Sequence, residues 1–268
     1  MTEALDRGEL ERAATIARAL ALEAGRRARA AFARPKRVAV KGRGNLVTDT
    51  DRAIEEYLRA ELAAAFPGYG LLGEEDGGEL GDGPTWVVDP LDGTRNFTAG
   101  IPFFAVSIGL VVDHGPVVGV VHAPMQDETW QAVRGAGASL NGDPVRASTA
   151  DRLDTCIVGV DLGYSPVRAG FMLDLATALW PDVQAFRIPG SACLGLVYAA
   201  CGRYDLFVHH LLYPWDLAAG LCILQEAGAT AWDRDGNRAT ITGESVIAGA
   251  PRAAARLLER VRGLPWRD

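Results

Sequence analysis

The chain has 268 residues, of which 49% are hydrophobic and 23% are charged, a composition typical of one large globular domain or two smaller ones. This proportion of apolar residues can bury a full core, which excludes a disordered or fibrous chain. The formal net charge of −7 argues against nucleic acid or an anionic membrane as the main partner, since both bind basic surfaces.

The sequence predicts a cytoplasmic protein. Its longest predominantly apolar run, Phe103 to Val112, is shorter than the about 20 residues that span a bilayer, and its acidic N-terminus is unlike a signal peptide. The cysteines lie in apolar segments without Cys-x-x-Cys spacing, which favours buried free thiols over zinc ligands. They are Cys156, Cys193, Cys201 and Cys222.

Hydrophobic spacing in the first half predicts two helices with a strand between them, and then a series of antiparallel strands. The helices are predicted at about 13–31 and 50–66, and the strands at 38–41, 86–88, 103–112, 116–123 and 128–133. An acidic, glycine-rich loop at 74–84 precedes the antiparallel strands.

From about residue 150 the pattern changes to alternating strands and helices. Strands are predicted at 156–161, 184–188, 205–208, 229–232 and 246–249, and helices at 167–180, 191–202, 216–227 and 251–262. The sequence therefore predicts an α+β unit of residues 1–148 packed against an α/β unit of residues 149–268. We expect a ligand at the seam between them.

The segment Asp89-Pro90-Leu91-Asp92-Gly93-Thr94 carries the strongest chemical signal. It places two carboxylates directly after an apolar strand, and Gly93 allows close approach of the backbone to a ligand. Carboxylates for a cation beside backbone N–H groups for an anion are the components of a metal-assisted phosphate site. Oxygen ligands favour Mg²⁺ or Mn²⁺. An acidic turn in which Asp89 only caps the next segment remains the alternative.

Two other motifs fit this segment less well. An EF-hand loop that begins at Asp89 would need an acid at Leu91 and a glutamate at Gly100. A phospho-aspartate phosphatase of the haloacid dehalogenase type would show Asp-x-Asp-Gly-Thr, whereas two residues separate Asp89 from Asp92 here.

The segment, with Trp86 before it and Asn96-Phe97 after it, resembles the signature of the inositol monophosphatase family. Other motifs of that family occur in the expected order between Lys41 and Gly220. They are Asn45 to Asp51, Leu72-Gly73-Glu74-Glu75, Gly190-Ser191-Ala192 and Pro214 to Gly220. The resemblance implies a layered α/β/α/β/α sandwich, a homodimer and inhibition by lithium.

The resemblance also implies the roles of individual residues. Two or three Mg²⁺ ions, or Mn²⁺, would be held by Glu74, Asp89, Asp92, Asp216 and the carbonyl of Leu91. The catalytic group would be Asp51, Glu74 and Thr94, with Thr94 orienting or deprotonating the attacking water. Backbone N–H groups of Gly93 and Thr94 would hold the phosphate. The alcohol half of the substrate would lie along Gly190, Ser191, Ala192, His209 and Asp216, and Lys41 would lie near the outermost metal.

His209 departs from the family pattern. Many inositol phosphatases have a glutamate seven residues before the residue matched by Asp216, and a neutral imidazole cannot accept hydrogen bonds from two hydroxyls as a carboxylate does. The predicted activity is Mg²⁺-dependent hydrolysis of a small polyol or sugar-like phosphomonoester of the inositol 1-phosphate type, by direct attack of water.

Several alternatives to that substrate remain open. They are histidinol phosphate, fructose 1,6-bisphosphate, 3′-phosphoadenosine 5′-phosphate and an aminocyclitol phosphate. A regulatory protein that acts by association, for example with the transcription machinery as some bacterial relatives do, is the alternative from another class.

Overall fold

The computed structural model describes residues 5–42 and 45–267. The helices are α1 (Arg7–Phe32), α2 (Asp49–Ala65), α3 (Thr94–Ala99), α4 (Pro166–Leu179), α5 (Ala192–Ala200), α6 (Pro214–Glu226) and α7 (Pro251–Arg260). The strands are β1 (Val38–Gly42), β2 (Asn45–Thr48), β3 (Gly70–Gly73), β4 (Thr85–Asp92), β5 (Ala105–Val112), β6 (Gly115–Ala123), β7 (Glu128–Val133), β8 (Gly137–Leu140), β9 (Asp143–Pro144), β10 (Ile157–Val160), β11 (Ala185–Arg187), β12 (Leu206–His209), β13 (Thr230–Trp232) and β14 (Val246–Gly249). Within the described ranges, no helix combines the length and apolar character needed to cross a bilayer.

The first large sheet has the order β3-β4-β5-β6-β7-β8-β9 and is antiparallel except for the parallel pair β3 and β4. Every residue of β4 and β5 is buried, which explains their nearly continuous apolar sequence: the sheet is covered on both faces. Helices α1 and α2 cover one face. The face of α1 toward the sheet carries alanines and Gly25, at which a Cβ would lie 2.2 Å from the His122 ring.

The second large sheet has the order β11-β10-β12-β14-β13. Strand β10 is parallel to both of its neighbours, whereas β14 is antiparallel to β12 and β13. Helices α4 and α7 pack on the outer face of this sheet through a cluster that includes Met172, Leu175 and Leu257. The short loops that follow β10 and β12 lie at the same edge of the sheet, because parallel strands end on the same side.

Helices α5 and α6 fill the space between the two sheets and are almost entirely apolar. Glycines in β5 and β6 allow α6 to approach the first sheet closely, since a Cβ on Gly119 would lie 2.4 Å from the carbonyl oxygen of Ala219. The layers are therefore α1 with α2, the first sheet, α5 with α6, the second sheet, and α4 with α7. This arrangement confirms the predicted α/β/α/β/α sandwich.

The predicted elements differ from the observed ones mainly around the acidic motif. Asp89 and Asp92 do not follow β4 but lie within it, because pairing with β5 resumes beyond a register shift between these two residues. The irregularity accommodates Pro90, which has no N–H to donate to the ladder. Strand β3 was not predicted from the sequence, since a four-residue run bounded by glycines carries little periodic signal.

We expect Gly119→Ala to lower the free energy of unfolding by about 1–3 kcal/mol, because the new methyl group meets the backbone of α6 rather than a movable side chain. Urea unfolding measures this change. Gly170→Ala is the matched control: a Cβ added at this helical position would have nothing within 4 Å of it, so the same substitution should be neutral or stabilise by up to about 1 kcal/mol. Equal effects at the two positions would contradict this account of the packing.

Candidate active site

A cavity of about 290 Å³ opens between the carboxyl ends of β4, β10 and β12 and the first turns of α5 and α6. It is lined by residues from both halves of the chain and contains a concentration of carboxylates. The acidic residues that line it are Glu74, Asp89, Asp92, Asp161 and Asp216. The cavity also contains the guanidinium of Arg95 and the ring of His209.

Asp92 is anchored to the start of α5. Its Oδ1 accepts the backbone N–H of Ala192 at 3.0 Å, and its Oδ2 accepts the N–H of Cys193 at 3.0 Å and the hydroxyl of Ser191. Burial raises the pKa of Asp92 to about 6, against the opposing effect of these donors. Ser191 and Ala192 line the cavity and also fix a carboxylate across a sequence separation of about 100 residues.

Asp89 and Asp216 face the same space from different elements. Asp89 accepts the backbone N–H of Leu91 at 2.9 Å, and Asp216, in the first turn of α6, accepts the N–H of Tyr213 at 2.7 Å. Burial first, and then the negative charges of neighbouring carboxylates, raise the pKa values of Asp89 and Asp216 well above the ordinary range. Glu74 is one of those neighbours in both cases.

The donor set fits a hard divalent cation. Carboxylates that raise one another's pKa values are stabilised in the charged form by a bound cation, and oxygen donors suit Mg²⁺ or Mn²⁺. Cys193 lies within 4.8 Å of Asp89 and Asp92 oxygens, but its Sγ donates to the carbonyl of Asp216 at 3.6 Å, and burial raises its pKa well above the ordinary range. A thiol is also a soft ligand, whereas hard cations such as Mg²⁺ prefer oxygen, so the carboxylates are the better ligands in this cavity.

Thr94 and Asp51 are brought together from distant parts of the sequence. Gly93, with φ of 92°, turns the chain out of β4 into α3, which begins at Thr94. The Thr94 hydroxyl lies 3.0 Å from Asp51 Oδ1 and 3.0 Å from the carbonyl oxygen of Leu91. Asp51 is buried in the first turn of α2, where it also accepts the N–H and hydroxyl of Thr48. Burial raises the pKa of Asp51.

A buried glutamate that the sequence analysis missed holds the loop that carries Glu74. Glu55 Oε2 accepts the backbone N–H of Glu75 at 2.8 Å, and Oε1 accepts the N–H of Asp76 at 2.9 Å and the guanidinium of Arg59. Gly73 leaves room for this carboxylate, since a Cβ there would lie 2.2 Å from Glu55 Oε1. The signal in the sequence was an acid one helical turn after Asp51, on the buried face of α2.

The turn at Gly190 is held by another residue whose role was not predicted. Asn96 donates its side-chain amide to the carbonyl oxygens of Phe103 at 2.8 Å and Pro189 at 2.9 Å. Gly190 has φ of 71°, and a Cβ there would lie 3.0 Å from the Asn96 amide. Asn96 thus joins α3 to the turn that leads into α5.

His209, the last residue of β12, and the next residue, His210, point to opposite sides of the second sheet, as consecutive residues of an extended chain do. His209 is buried against the cavity, and burial lowers its pKa to about 4. His210 lies between the rings of Phe171 and Trp266, and its Nδ1 lies 3.2 Å from the guanidinium of Arg168.

The outer rim of the cavity carries aromatic residues. The Arg95 guanidinium lies 4.3 Å from the centre of the Tyr164 ring and donates to the carbonyl of Gly163 at 3.3 Å, joining α3 to the loop after β10. Tyr213 and Trp215 stack with ring centres 5.2 Å apart next to Asp216. The backbone of Lys41 belongs to β1, but its side chain lies outside the described part of the chain, and the prediction made for it stays a prediction.

The chain is similar to known proteins over most of its length. The sequence model of the inositol monophosphatase family matches residues 9–265. Inositol monophosphatase 3 of Solanum lycopersicum is 39% identical over 252 residues, which cover 90% of this chain and 93% of that protein. Nus factor SuhB of Salmonella typhimurium is 36% identical over 225 residues, covering 83% of this chain and 84% of that protein. The structure of Thermotoga maritima IMPase superposes with a TM-score of 0.85 at 32% identity, covering 91% of this chain and 94% of that chain.

We expect Asp89→Asn to stabilise the protein in EDTA. A carboxyl whose pKa is raised on folding destabilises the folded state progressively as pH rises above the ordinary aspartate pKa of 3.8. Asparagine carries no charge and so avoids this destabilisation, while its Oδ1 still accepts the Leu91 N–H. At about pH 8 the melting temperature in EDTA should exceed that of the wild type by about 3 °C or more, and Mg²⁺ should raise it less than in the wild type. A lower melting temperature in EDTA would contradict the proposed repulsion.

We expect Glu55→Gln to weaken cation binding, because the side-chain amide cannot accept the two backbone N–H groups that hold the Glu74 loop. Calorimetric titration with Mn²⁺ should show a loss of about tenfold or more in affinity, while kcat at saturating Mg²⁺ changes by less than about threefold. Glu56→Gln, on the exposed face of the same helix, is the matched control and should bind Mn²⁺ as the wild type does. An unchanged Mn²⁺ affinity in Glu55→Gln would show that the Glu55 contacts do not act on the site.

Proposed function

Because this chain belongs to the inositol monophosphatase family and is a phosphoric monoester hydrolase, we propose that it hydrolyses a small polyol or sugar-like phosphomonoester by direct attack of water in the cavity described above. The observation that carries this proposal is the convergence of buried carboxylates beside the hydrogen-bonded pair Thr94 and Asp51. That arrangement provides cation ligands and a group that can orient water within one cavity.

We assign Glu74, Asp89, Asp92, Asp216 and the carbonyl of Leu91 as ligands of two or three Mg²⁺ ions. Bound Mg²⁺ would supply the positive charge that lowers the pKa of a nucleophilic water and stabilises the leaving oxygen. The Ser191 hydroxyl and the first N–H groups of α5 hold Asp92 in one orientation, and the Tyr213 N–H does the same for Asp216. These contacts orient two of the assigned ligands through groups of the protein itself.

Thr94 and Asp51 act on the attacking water. The Thr94 hydroxyl donates to Asp51, which leaves its oxygen lone pairs to accept a hydrogen bond from a water on the cavity side. Burial raises the pKa of Asp51, so this carboxylate is a better proton acceptor than an exposed aspartate. A proton can pass from water to the Thr94 oxygen while the Thr94 proton passes to Asp51, and no covalent intermediate with the protein is required.

Gly93 and Thr94 line the cavity next to Asp92, and we assign their backbone N–H groups to the phosphate oxygens. The alcohol half of the substrate then lies toward Gly190, Ser191 and His209. Relatives named for inositol monophosphate hydrolysis support a substrate of the inositol 1-phosphate type.

Lithium inhibition and a homodimer belong to this proposal as family properties. A cytoplasmic location also belongs to it, and the free state of the four cysteines is consistent with a reducing compartment.

A second candidate is a role by association with other proteins, favoured by the similarity to Nus factor SuhB. The buried carboxylate cluster favours catalysis, because a binding role does not need mutually repelling acids in a cavity. The Asp89→Asn variant separates the two candidates. A function that survives this substitution in the cell acts by association, whereas a function lost together with phosphatase activity is catalytic.

We expect Thr94→Val to lower kcat by about 10²-fold or more with little change in KM, because the isosteric side chain cannot orient or deprotonate water. Phosphate release from inositol 1-phosphate, glucose 6-phosphate and glycerol 2-phosphate with Mg²⁺ or EDTA measures this effect. Thr94→Ser should recover most of the activity. Thr98→Val, one turn later on α3 and outside the cavity, is the matched control. Full activity in Thr94→Val would refute the assigned role, and no release from any ester with Mg²⁺ would refute the proposed activity.

A further inference from the structure

We propose that a cluster of polar side chains on the outer side of the second sheet positions Asp216, one of the assigned cation ligands, from behind the wall of the cavity. This outer cluster consists of Arg168, His210, Arg234 and Glu244. The inference rests on the proposed function and adds positioning residues that set cation affinity without touching the cation or the substrate. None of these four described residues lines the cavity.

Two guanidinium groups meet one imidazole and one carboxylate in the outer cluster. His210 Nδ1 lies 3.2 Å from Arg168 Nη1 and 3.5 Å from Arg234 Nη1, and it accepts both contacts because a guanidinium can only donate. Glu244 Oε2 lies 3.4 Å from Arg168 Nη2 and 3.9 Å from Arg234 Nη2. The arginine side chains are only 25% and 20% exposed, so water screens these contacts less than it screens an ordinary surface ion pair.

The outer cluster holds the segment between β12 and α6 at two points. His210 is the first residue of this segment, and two residues later the Leu212 N–H donates to the backbone carbonyl oxygen of Glu244 at 2.6 Å. The same segment contributes Leu211, Leu212 and Tyr213 to the lining of the cavity. The segment is therefore a thin wall with the cavity on one side and the outer cluster on the other.

The orientation of Asp216 depends on the last residue of this wall. Asp216 Oδ2 accepts the Tyr213 N–H at 2.7 Å, and the Asp216 N–H donates in return to the Tyr213 carbonyl oxygen at 3.1 Å. Apolar packing of α6 holds the backbone of Asp216, whereas the Tyr213 N–H orients its carboxylate. Because Tyr213 directly follows Leu212, a shift of Leu212 away from Glu244 would move this donor. Partners that orient a ligand in this way alter metal affinity.

The charge of the outer cluster by itself would act in the opposite direction. The two arginines and Glu244 leave one excess positive charge, which repels a cation in the cavity. Removal of one arginine would therefore raise cation affinity if only this repulsion acted. It lowers cation affinity if the cluster positions Asp216. The sign of the change separates the two explanations.

We expect Arg168→Met to lower the Mn²⁺ affinity by about fivefold or more in a calorimetric titration. The Mg²⁺ concentration that gives half-maximal release of phosphate from inositol 1-phosphate should rise by a similar factor. At saturating Mg²⁺, kcat should change by less than about twofold, because no group that touches the substrate is altered. Arg252→Met, at an exposed position of α7 in the same outer layer, is the matched control and should bind Mn²⁺ as the wild type does. An unchanged or higher affinity in Arg168→Met would overturn the proposal.

Two substitutions of His210 test the role of its Nδ1 atom. His210→Leu fills much of the space of the ring but offers the arginines no acceptor, whereas Oδ1 in His210→Asn can lie where Nδ1 lies. We expect His210→Leu to lower the Mn²⁺ affinity by about fivefold or more, and His210→Asn to stay within about twofold of the wild type. Melting temperatures in EDTA report the stability of both variants separately.

A merely structural role of His210 would lower the melting temperature without separating the two variants in Mn²⁺ affinity. Equal Mn²⁺ affinities in His210→Leu and His210→Asn would therefore refute the positioning role, while the phosphatase function stands. If the wild type binds no Mn²⁺, or releases no phosphate from inositol 1-phosphate, glucose 6-phosphate or glycerol 2-phosphate with Mg²⁺, the proposed function itself fails.

Discussion

Repulsion among buried carboxylates is the constraint on which the rest of the site depends. The negative charge of Asp92 raises the pKa values of Asp89 and Asp216 in a space that burial already makes unfavourable for charge. A folded protein keeps such an arrangement only if neighbouring elements hold it and either protons or a cation reduce the repulsion. The sandwich meets the first condition because strand β4, the first turns of α5 and α6 and the loop that carries Glu74 all border one cavity.

Each of those elements is stabilised away from the cavity. Strand β4 lies inside a sheet covered on both faces, α5 and α6 are packed between two sheets, and α2 is anchored against the first sheet through its apolar face. Short hydrogen-bonded links then fix the polar groups: Ser191 to Asp92, Glu55 to the Glu74 loop, and Asp51 to Thr94. The packed core holds the elements in place, and the hydrogen bonds orient the polar side chains that these elements carry.

The cavity has two parts with different chemistry. Toward β4 and α3 it is lined by Asp89, Asp92, Gly93 and Thr94, which belong to the motif that resembles the family signature. Toward β10 and β12 it is lined by Asp161 and His209, and burial lowers the pKa of His209 to about 4.

The sequence by itself identified the family, the family resemblance implied the order of layers, and the motifs singled out Glu74, Asp89, Asp92 and Asp216, which all line the cavity. These depend on local signals: Asp89 to Thr94 is a contiguous motif, and helix and strand periodicity is read within a few turns. Only the tertiary structure brought Asp161 beside His209, placed the Glu55 carboxylate under the Glu74 loop and joined Asp51 to Thr94. Those features depend on strand register and on hydrogen bonds between residues distant in sequence, and a local pattern carries no information about which distant groups meet.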